Sequence, residues 1–369
     1  MNYLLRNTIL VIFLFAGMYA YSEEVTGAAQ PEKEKTDLNV TELILEHVAD
    51  AYEWHITTFG HTHISIPLPV IVKGKDSGWH IFSSARFEHG AAEYQGFSIS
   101  QEGDNKGKIV EKNASGGEVR PWDFSITKNA CSLMLSSATL VIMILLCARW
   151  YKKRKEKPEE ISPKGFIAMM EMLIMSIVDD VVKPCIGKNY KRYTPYLLTV
   201  FFFIFFNNLL GIIPIIPGGA NVTGNIAITA VLAAFTFIIV NIYGTKEYWK
   251  EIFWPDVPIW LKIPPIMPVI ELFGVFTKPF VLMVRLLANI LAGHAIVLGI
   301  TCMIFLTVSM GAVMNTGMSI LSVVMTVFIE FVELLVAFIQ AYVFTMLSAV
   351  FIGLSQAEPH HATQPPKGG

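Results

Sequence analysis

The stretch Lys278–His294, KPFVLMVRLLANILAGH, sets three kinds of polar chemistry inside one apolar run. Arg285 supplies a fixed positive charge, Asn289 a carboxamide and His294 a titratable imidazole. An arginine at membrane depth costs about 3 kcal/mol on insertion scales. Its guanidinium cannot lose a proton to escape that cost, so such a charge needs a partner or a job. Around it the same apolar third of the chain holds Glu271, Lys278, Glu330, Glu333 and Gln340. Histidine exchanges protons near neutral pH, and a carboxylate with an imidazole in a wet cavity is the composition of a proton relay. A mobile carboxylate that approaches a fixed guanidinium is stabilised only when ionised, so Arg285 could strip a passing carboxyl of its proton and block its return. Mutual pairing as buried glue is the competing use of such charges. That use stands beside a transport role for Glu271 with Lys278, and for Glu330.

Spacing sorts these groups on helices. Glu271, Lys278 and Arg285 recur every seven residues and share a face if Pro279 only kinks the helix. Arg285 and Asn289 are i,i+4 neighbours. His294, nine positions past Arg285, falls half a revolution away. Glu333 and Gln340, seven apart, lie on one stripe of the other helix.

The elements that carry them belong to a membrane protein. Of 369 residues, 53% are hydrophobic and 16% charged, with mean hydropathy +0.51. A soluble chain carries about 25% charged residues. A net charge of −2 leaves no electrostatic footprint for nucleic acid. Cys131, Cys147, Cys185 and Cys302 are scattered in or beside apolar runs, with no CxxC or Cys/His spacing, so neither a metal nor another cofactor is expected.

Residues 1–21 read as a signal peptide, 22–40 as a charged flexible linker, and 41–53 as a short amphipathic helix. Within 41–128, the runs WHITTF, HISIPLPVIV, WHIFSS, YQGFSIS and GKIVEK predict a small, mostly-β extramembrane domain. His55, His61 and His63 fit exposed strand histidines better than a metal site. A span over about 130–149 ends in RWYKKRKEK, a basic block that marks the cytoplasmic side and sets the N-terminal domain outside. Residues 163–186 predict an amphipathic helix along the inner surface. Spans follow at 195–216, with Asn207 and Asn208 inside, and at 226–243; 245–262 is an amphipathic inner loop. Two apolar runs, 263–310 and 318–354, are separated by GAVMNTG, and 357–369 is a disordered tail. Each run is about 60 Å long if helical, twice a hydrocarbon core, so each is either a hairpin of two short helices or one steeply tilted helix. With no turn signal in 285–310 or 318–354, two long, tilted helices packed antiparallel are expected. The fold class is an all-α polytopic membrane protein with about five embedded helices, a surface helix and a β-rich N-terminal addition.

Over residues 120–356 the chain resembles subunit a of F-type ATP synthases, the membrane stator that faces the rotating c-ring. The motifs are PWDFSIT, NNLLGIIP, RLLANILAGH and ELLVAFIQAYVFTMLSAVFIGLS. The resemblance implies that Arg285 is the family's essential arginine, meeting the c-ring carboxylate and separating two half-channels. Asn289 is its polar neighbour, His294 and Glu333 an interacting acid/base pair in the outer half-channel, and Gln340 the glutamine near the arginine. Asn208 is implied to line the outer path, with Glu271 and Lys278 toward the inner one and Glu330 in the proton path. It also implies partners: the c-ring, the subunit b peripheral stalk and the other synthase subunits, in a bacterial inner membrane with a cytoplasmic C-terminus. The front of the chain is not part of the family core, and no family role carries onto it.

No GxxxxGK[ST] occurs, so ATP chemistry is expected on other subunits. The runner-up, a stand-alone proton-coupled secondary transporter, lacks the paired broken-helix repeats that often build such carriers. An intramembrane hydrolase lacks HExxH and GxSxG.

Overall fold

The structure, a computed structural model, describes residues 49–59, 62–75, 78–101, 103–112, 117–155, 163–213, 222–254 and 266–356. The expected signal peptide, linker and C-terminal tail, His61, and most of the 41–53 helix lie outside the described residues.

The β-rich runs form short antiparallel ladders. Strands β1 (Glu53–Phe59) and β2 (Thr62–Pro67) pair with each other. The second sheet has the order β4-β3-β8, from β3 (Pro69–Gly74), β4 (Gly78–Ser83) and β8 (Trp122–Asp123). The third has β5 (Phe97–Ile99), β6 (Ile109–Lys112) and β7 (Glu118–Val119) in chain order. Alternation along β3 buries Val70 and Val72, which meet Phe87, Phe97, Ile109 and Tyr52 in a small core. Tyr52 donates its phenol hydrogen bond to Asp123; burial, then that carboxylate, push the phenol's pKa above its usual range. The described part of the expected 41–53 helix is not helical, because β1 already starts at Glu53 and pairs with Pro67.

The sheet runs into the first long helix with four residues between. Asp50 Oδ1 accepts from Asn129 N at 3.0 Å and Ala51 O from Lys128 N at 2.8 Å. These bonds occupy amide donors that a helix start leaves without intrahelical partners. Helix α1 (Lys128–Lys155) buries Asn129, Ser132, Ser136 and Leu140 along one stripe and leaves most of its apolar surface outward. Next come α2 (Phe166–Ser176), a π-helical turn at Ile177–Val182 and α3 (Lys183–Ile186). This is the segment expected along the inner surface. Met170, Ile177, Val181, Val182 and Ile186 join the core of the bundle, so its apolar side meets protein.

Helices α4 (Tyr190–Ile212) and α5 (Ile226–Ile242) occupy the expected spans, and α6 (Lys246–Phe253) follows a sharp bend of 100°. The last third is two long helices, α7 (Ile266–Leu306, 41 residues) and α8 (Ala312–Ser355, 44 residues). Among the described residues, four helical stretches are long and apolar enough to cross a membrane, or five with the bent α5–α6 pair. Helix α7 runs unbroken through Pro279. The expected GAVMNTG separator is corrected to a break at Gly311, whose φ of 101° favours glycine; Ala312 to Gly317 are already helical. Thr307 Oγ1 donates to Asn315 Oδ1 at 3.0 Å across that break. The core lies where α4, α7 and α8 meet, with Leu197, Phe201, Ile204, Leu282, Leu286, Ala341, Phe344 and Ile352 at its centre.

Candidate functional site

Helix α7 turns two faces to different surroundings. Val275, Leu282 and Leu286 are buried in the bundle, as their i,i+7 and i,i+4 spacing requires. Arg285 and Asn289 are exposed on the surface of the chain. Among the described residues Arg285 makes no ion pair or hydrogen bond.

One turn further along, α7 lines a cavity with about 380 Å³ of empty space. Asn289, Ile290, Gly293 and His294 form one wall; Glu333, Val336 and Ala337 of α8 form another. Asn208 of α4 and Thr223 of the turn before α5 complete the polar set. Thr223 Oγ1 donates to Asn208 Oδ1 at 2.7 Å, and Asn208 Nδ2 donates to Ala337 O at 3.4 Å. Glu333 Oε1 is buried with no hydrogen-bond partner among the described residues. An orphaned carboxyl oxygen is costly, and Glu333 is one wall of a cavity that Asn208, Thr223, Asn289 and His294 also line.

Gly293 explains how Glu333 comes so close to α7. A Cβ at Gly293 falls 2.5 Å from Glu333 Oε1 and 3.1 Å from its Cδ. The glycine is a notch that receives the carboxyl. Gly293 and Thr223 carry no signal in the sequence, because a glycine notch and a turn threonine show only once the helices are paired.

The notch also fixes the register of the two helices. Because α7 and α8 are antiparallel, 293 opposite 333 puts 285 opposite 341, eight residues down one and eight up the other. Gln340, buried beside Ala341, therefore lies at the level of Arg285. Lys278 faces position 348 in that register, and its Nζ lies 5.8 Å from the ring of Phe351, three residues further along α8. Glu330 is one turn from Glu333 on the side away from Arg285.

A second cavity, with about 250 Å³ of empty space, lies before Arg285 along α7. Val275, Lys278 and Pro279 line it with Thr236, Phe237, Val240 and Asn241 of α5, Tyr248 of α6 and Phe351 of α8. Glu271 is within electrostatic range of the Tyr248 hydroxyl. The structure thus brings Asn208, Asn289, His294 and Glu333 together at one cavity, and Lys278 to the other. Arg285 lies between the two cavities in the α7 sequence, and Glu271 and Glu330 flank the set. Asn207 is separate: its Oδ1 accepts from Ser136 Oγ at 2.8 Å and ties α4 to α1. No metal-ligating cluster occurs among the described residues.

Fold and site define a polytopic membrane protein whose bundle holds two cavities with polar groups in their walls, one before and one after an arginine that makes no ion pair or hydrogen bond among the described residues. The ATP synthase A chain family model matches residues 133–353, and the chain belongs to that family. It is 41% identical over 260 residues to ATP synthase subunit a of Chlorobium phaeobacteroides, covering 69% of this chain and 70% of the relative. It is 38% identical to ATP synthase subunit a of Chloroherpeton thalassium over 67% of this chain and 71% of that one. The Myxococcus xanthus subunit a is 41% identical over 65% of this chain and 75% of its own length. Residues 43–124 match a domain of unknown function, DUF8433.

Proposed function

We propose that this chain is the proton-channel subunit of an F-type ATP synthase, working as a stator against a rotating c-ring. The observation that carries this reading is the order along α7: a cavity at Val275–Pro279, Arg285, then a cavity at Asn289–His294. Along α7 the first cavity covers about 6 Å of helix and the second about 8 Å, so neither alone spans a hydrocarbon core of about 30 Å. Two offset half-channels with a fixed charge between them can pass a proton only through a carrier that moves from one to the other.

In this reading His294 and Glu333 exchange protons in the outer cavity, with Asn208 and Glu330 along the entry. A rotor carboxylate takes up the proton there and turns through the apolar phase as a neutral acid. When it returns to Arg285 the guanidinium stabilises only its ionised form, and the proton leaves by the cavity of Lys278, with Glu271 beyond it. Asn289 extends the polar wall toward Arg285, and Gln340 packs at its level. The exposed position of Arg285 suits a charge whose partner belongs to another subunit.

The basic residues at the end of α1 set that end in the cytoplasm by the positive-inside rule. Residues 41–128 then form an extracytoplasmic domain on a bacterial inner membrane, and the C-terminus is cytoplasmic. Subunit b and the other synthase subunits are the remaining partners, and ATP chemistry resides on them. A stand-alone transporter is not favoured, since the path through this chain alone is interrupted at Arg285. The test is Arg285→Ala in the assembled complex: ATP-driven proton pumping is expected to vanish while assembly persists, and pumping at the wild-type rate overturns the reading.

A further inference from the structure

We infer that Trp54, in the N-terminal β domain, is a positioning residue for the outer mouth of the proton path. The inference rests on the assignment of the Asn208–Glu333 cavity to that path. Trp54 is 4% exposed and packs on Val222, which is 1% exposed, with Cys131 and Leu133 of α1 and Ile228 of α5 around them. This small apolar cluster is separate from the core of the β domain and touches that of the bundle through Ile228. It joins a strand to the turn between α4 and α5.

The turn carries the chemistry one residue later. Thr223, 1% exposed, donates its hydroxyl to Asn208 Oδ1 at 2.7 Å. An amide whose oxygen is held this way must turn its NH2 group the other way. Asn208 Nδ2 accordingly donates to Ala337 O of α8, a cavity-lining residue one turn from Glu333. The chain of contact is therefore Trp54, Val222, Thr223, Asn208 and the wall of the cavity that holds the Glu333 carboxyl.

Trp54 is itself fixed to the membrane part. Three and four residues before it, Ala51 O and Asp50 Oδ1 accept from the first amides of α1, at 2.8 and 3.0 Å. Strand β1 then aims the indole, with Trp54 opposite Ile66 of β2. A flat, rigid ring held at both its strand and its helix neighbours can hold a short turn in place. Without it, the Val222–Thr223 turn loses its apolar seat, and the Asn208 amide is free to reverse its donor and acceptor ends. The β domain thus gains a purpose within the translocation path.

The experiment uses the assembled complex in vesicles stripped of the soluble sector, with passive proton conductance measured per assembled complex. The variants are Trp54→Ala, Trp54→Phe, Thr223→Val, Trp54→Ala with Thr223→Val, and Asn208→Leu. Trp54→Ala and Thr223→Val are each expected to lower conductance about tenfold, less than the roughly 100-fold that a misplacement of about 1 Å of a reacting group can cost, because Asn208 lines the path and does not itself exchange the proton. The double variant is expected to be no worse than the lower single one, because both act through Asn208. Trp54→Phe, which keeps a flat ring in the seat, is expected to restore most of the conductance. Trp54→Leu replaces Trp54→Ala in the set if the alanine variant does not assemble, with the same expectation. Wild-type conductance in the Trp54 variant, with Thr223→Val and Asn208→Leu both deficient, overturns the positioning role and leaves the path intact. Losses that multiply in the double variant also overturn it. Wild-type conductance in Asn208→Leu overturns the path assignment and, with it, the inference.

Discussion

Gly293→Ala tests the notch that holds Glu333. The added Cβ falls 2.5 Å from Oε1, 3.1 Å from Cδ and 3.4 Å from Cγ of Glu333. Ordinary carbon contacts begin near 3.5 Å, so the carboxyl oxygen must retreat by about 1 Å. The atom that must move is the far end of a flexible side chain. The loss of stability should therefore fall below the roughly 1–3 kcal/mol of overpacking against a rigid neighbour. Function is a different matter: a misplacement of about 1 Å can cost about 100-fold when a reacting group has to meet its partner. The expected result is a complex that assembles in normal amount with proton conductance reduced by one to two orders of magnitude. Gly299→Ala is the control in the same helix. Nothing lies within 4 Å of its added Cβ, and alanine improves helix propensity by about 1 kcal/mol at most. It should conduct as wild type. Conductance of Gly293→Ala within twofold of that control would refute the claim that Glu333 must sit in the notch to work.

Gly353→Ala should behave in the opposite way. Its Cβ falls 2.0 Å from the carbonyl oxygen of Cys185, a backbone atom of α3 that cannot swing aside. A destabilisation of about 1–3 kcal/mol or more is expected, read as loss of folded subunit from the membrane before any measurement of conductance; normal accumulation would contradict the close approach of α3 and α8. Ser136→Ala removes the donor to Asn207 Oδ1 between α1 and α4. Hydrogen bonds between spans average about 0.6 kcal/mol, so a small loss of thermal stability with unchanged proton conductance is expected; a large drop in conductance would move Asn207 from glue into the path.

The sequence was most informative where chemistry and periodicity coincide. Arg285 with Asn289, and His294 half a turn away, could be placed on a helix because α7 is regular from Ile266 to Leu306. The spans at 195–216 and 226–243 were legible from apolar length, and the strands from alternation between turn residues. Two local readings differ from the structure. GAVMNTG looks like a loop by composition, yet one glycine at positive φ suffices to break the helix, and Asn315 finds its partner in Thr307. The expected helix TELILEHVADAYE differs only at its described end: Glu53 pairs into a ladder, and pairing with distant Pro67 is invisible to local propensity. The segment at 163–186 reads as interfacial because its polar residues suggest water on one side. Which apolar surface its other side meets, protein or lipid, is decided by tertiary packing. Gly293, Thr223 and Trp54 were silent for the same reason: their roles are contacts between elements, with no signature within one.

The central claim is that Arg285 separates two half-channels, and the most direct measurement compares coupled and uncoupled proton movement in one preparation. Vesicles bearing the assembled Arg285→Ala complex are assayed for ATP-driven acidification and then, with the soluble sector removed, for passive proton conductance. The account predicts that pumping falls by at least about 100-fold, as on loss of a preorganised charge from a reaction site, while passive conductance persists or rises. Pumping at the wild-type rate, or passive conductance and pumping lost together in a complex that assembles normally, would contradict it.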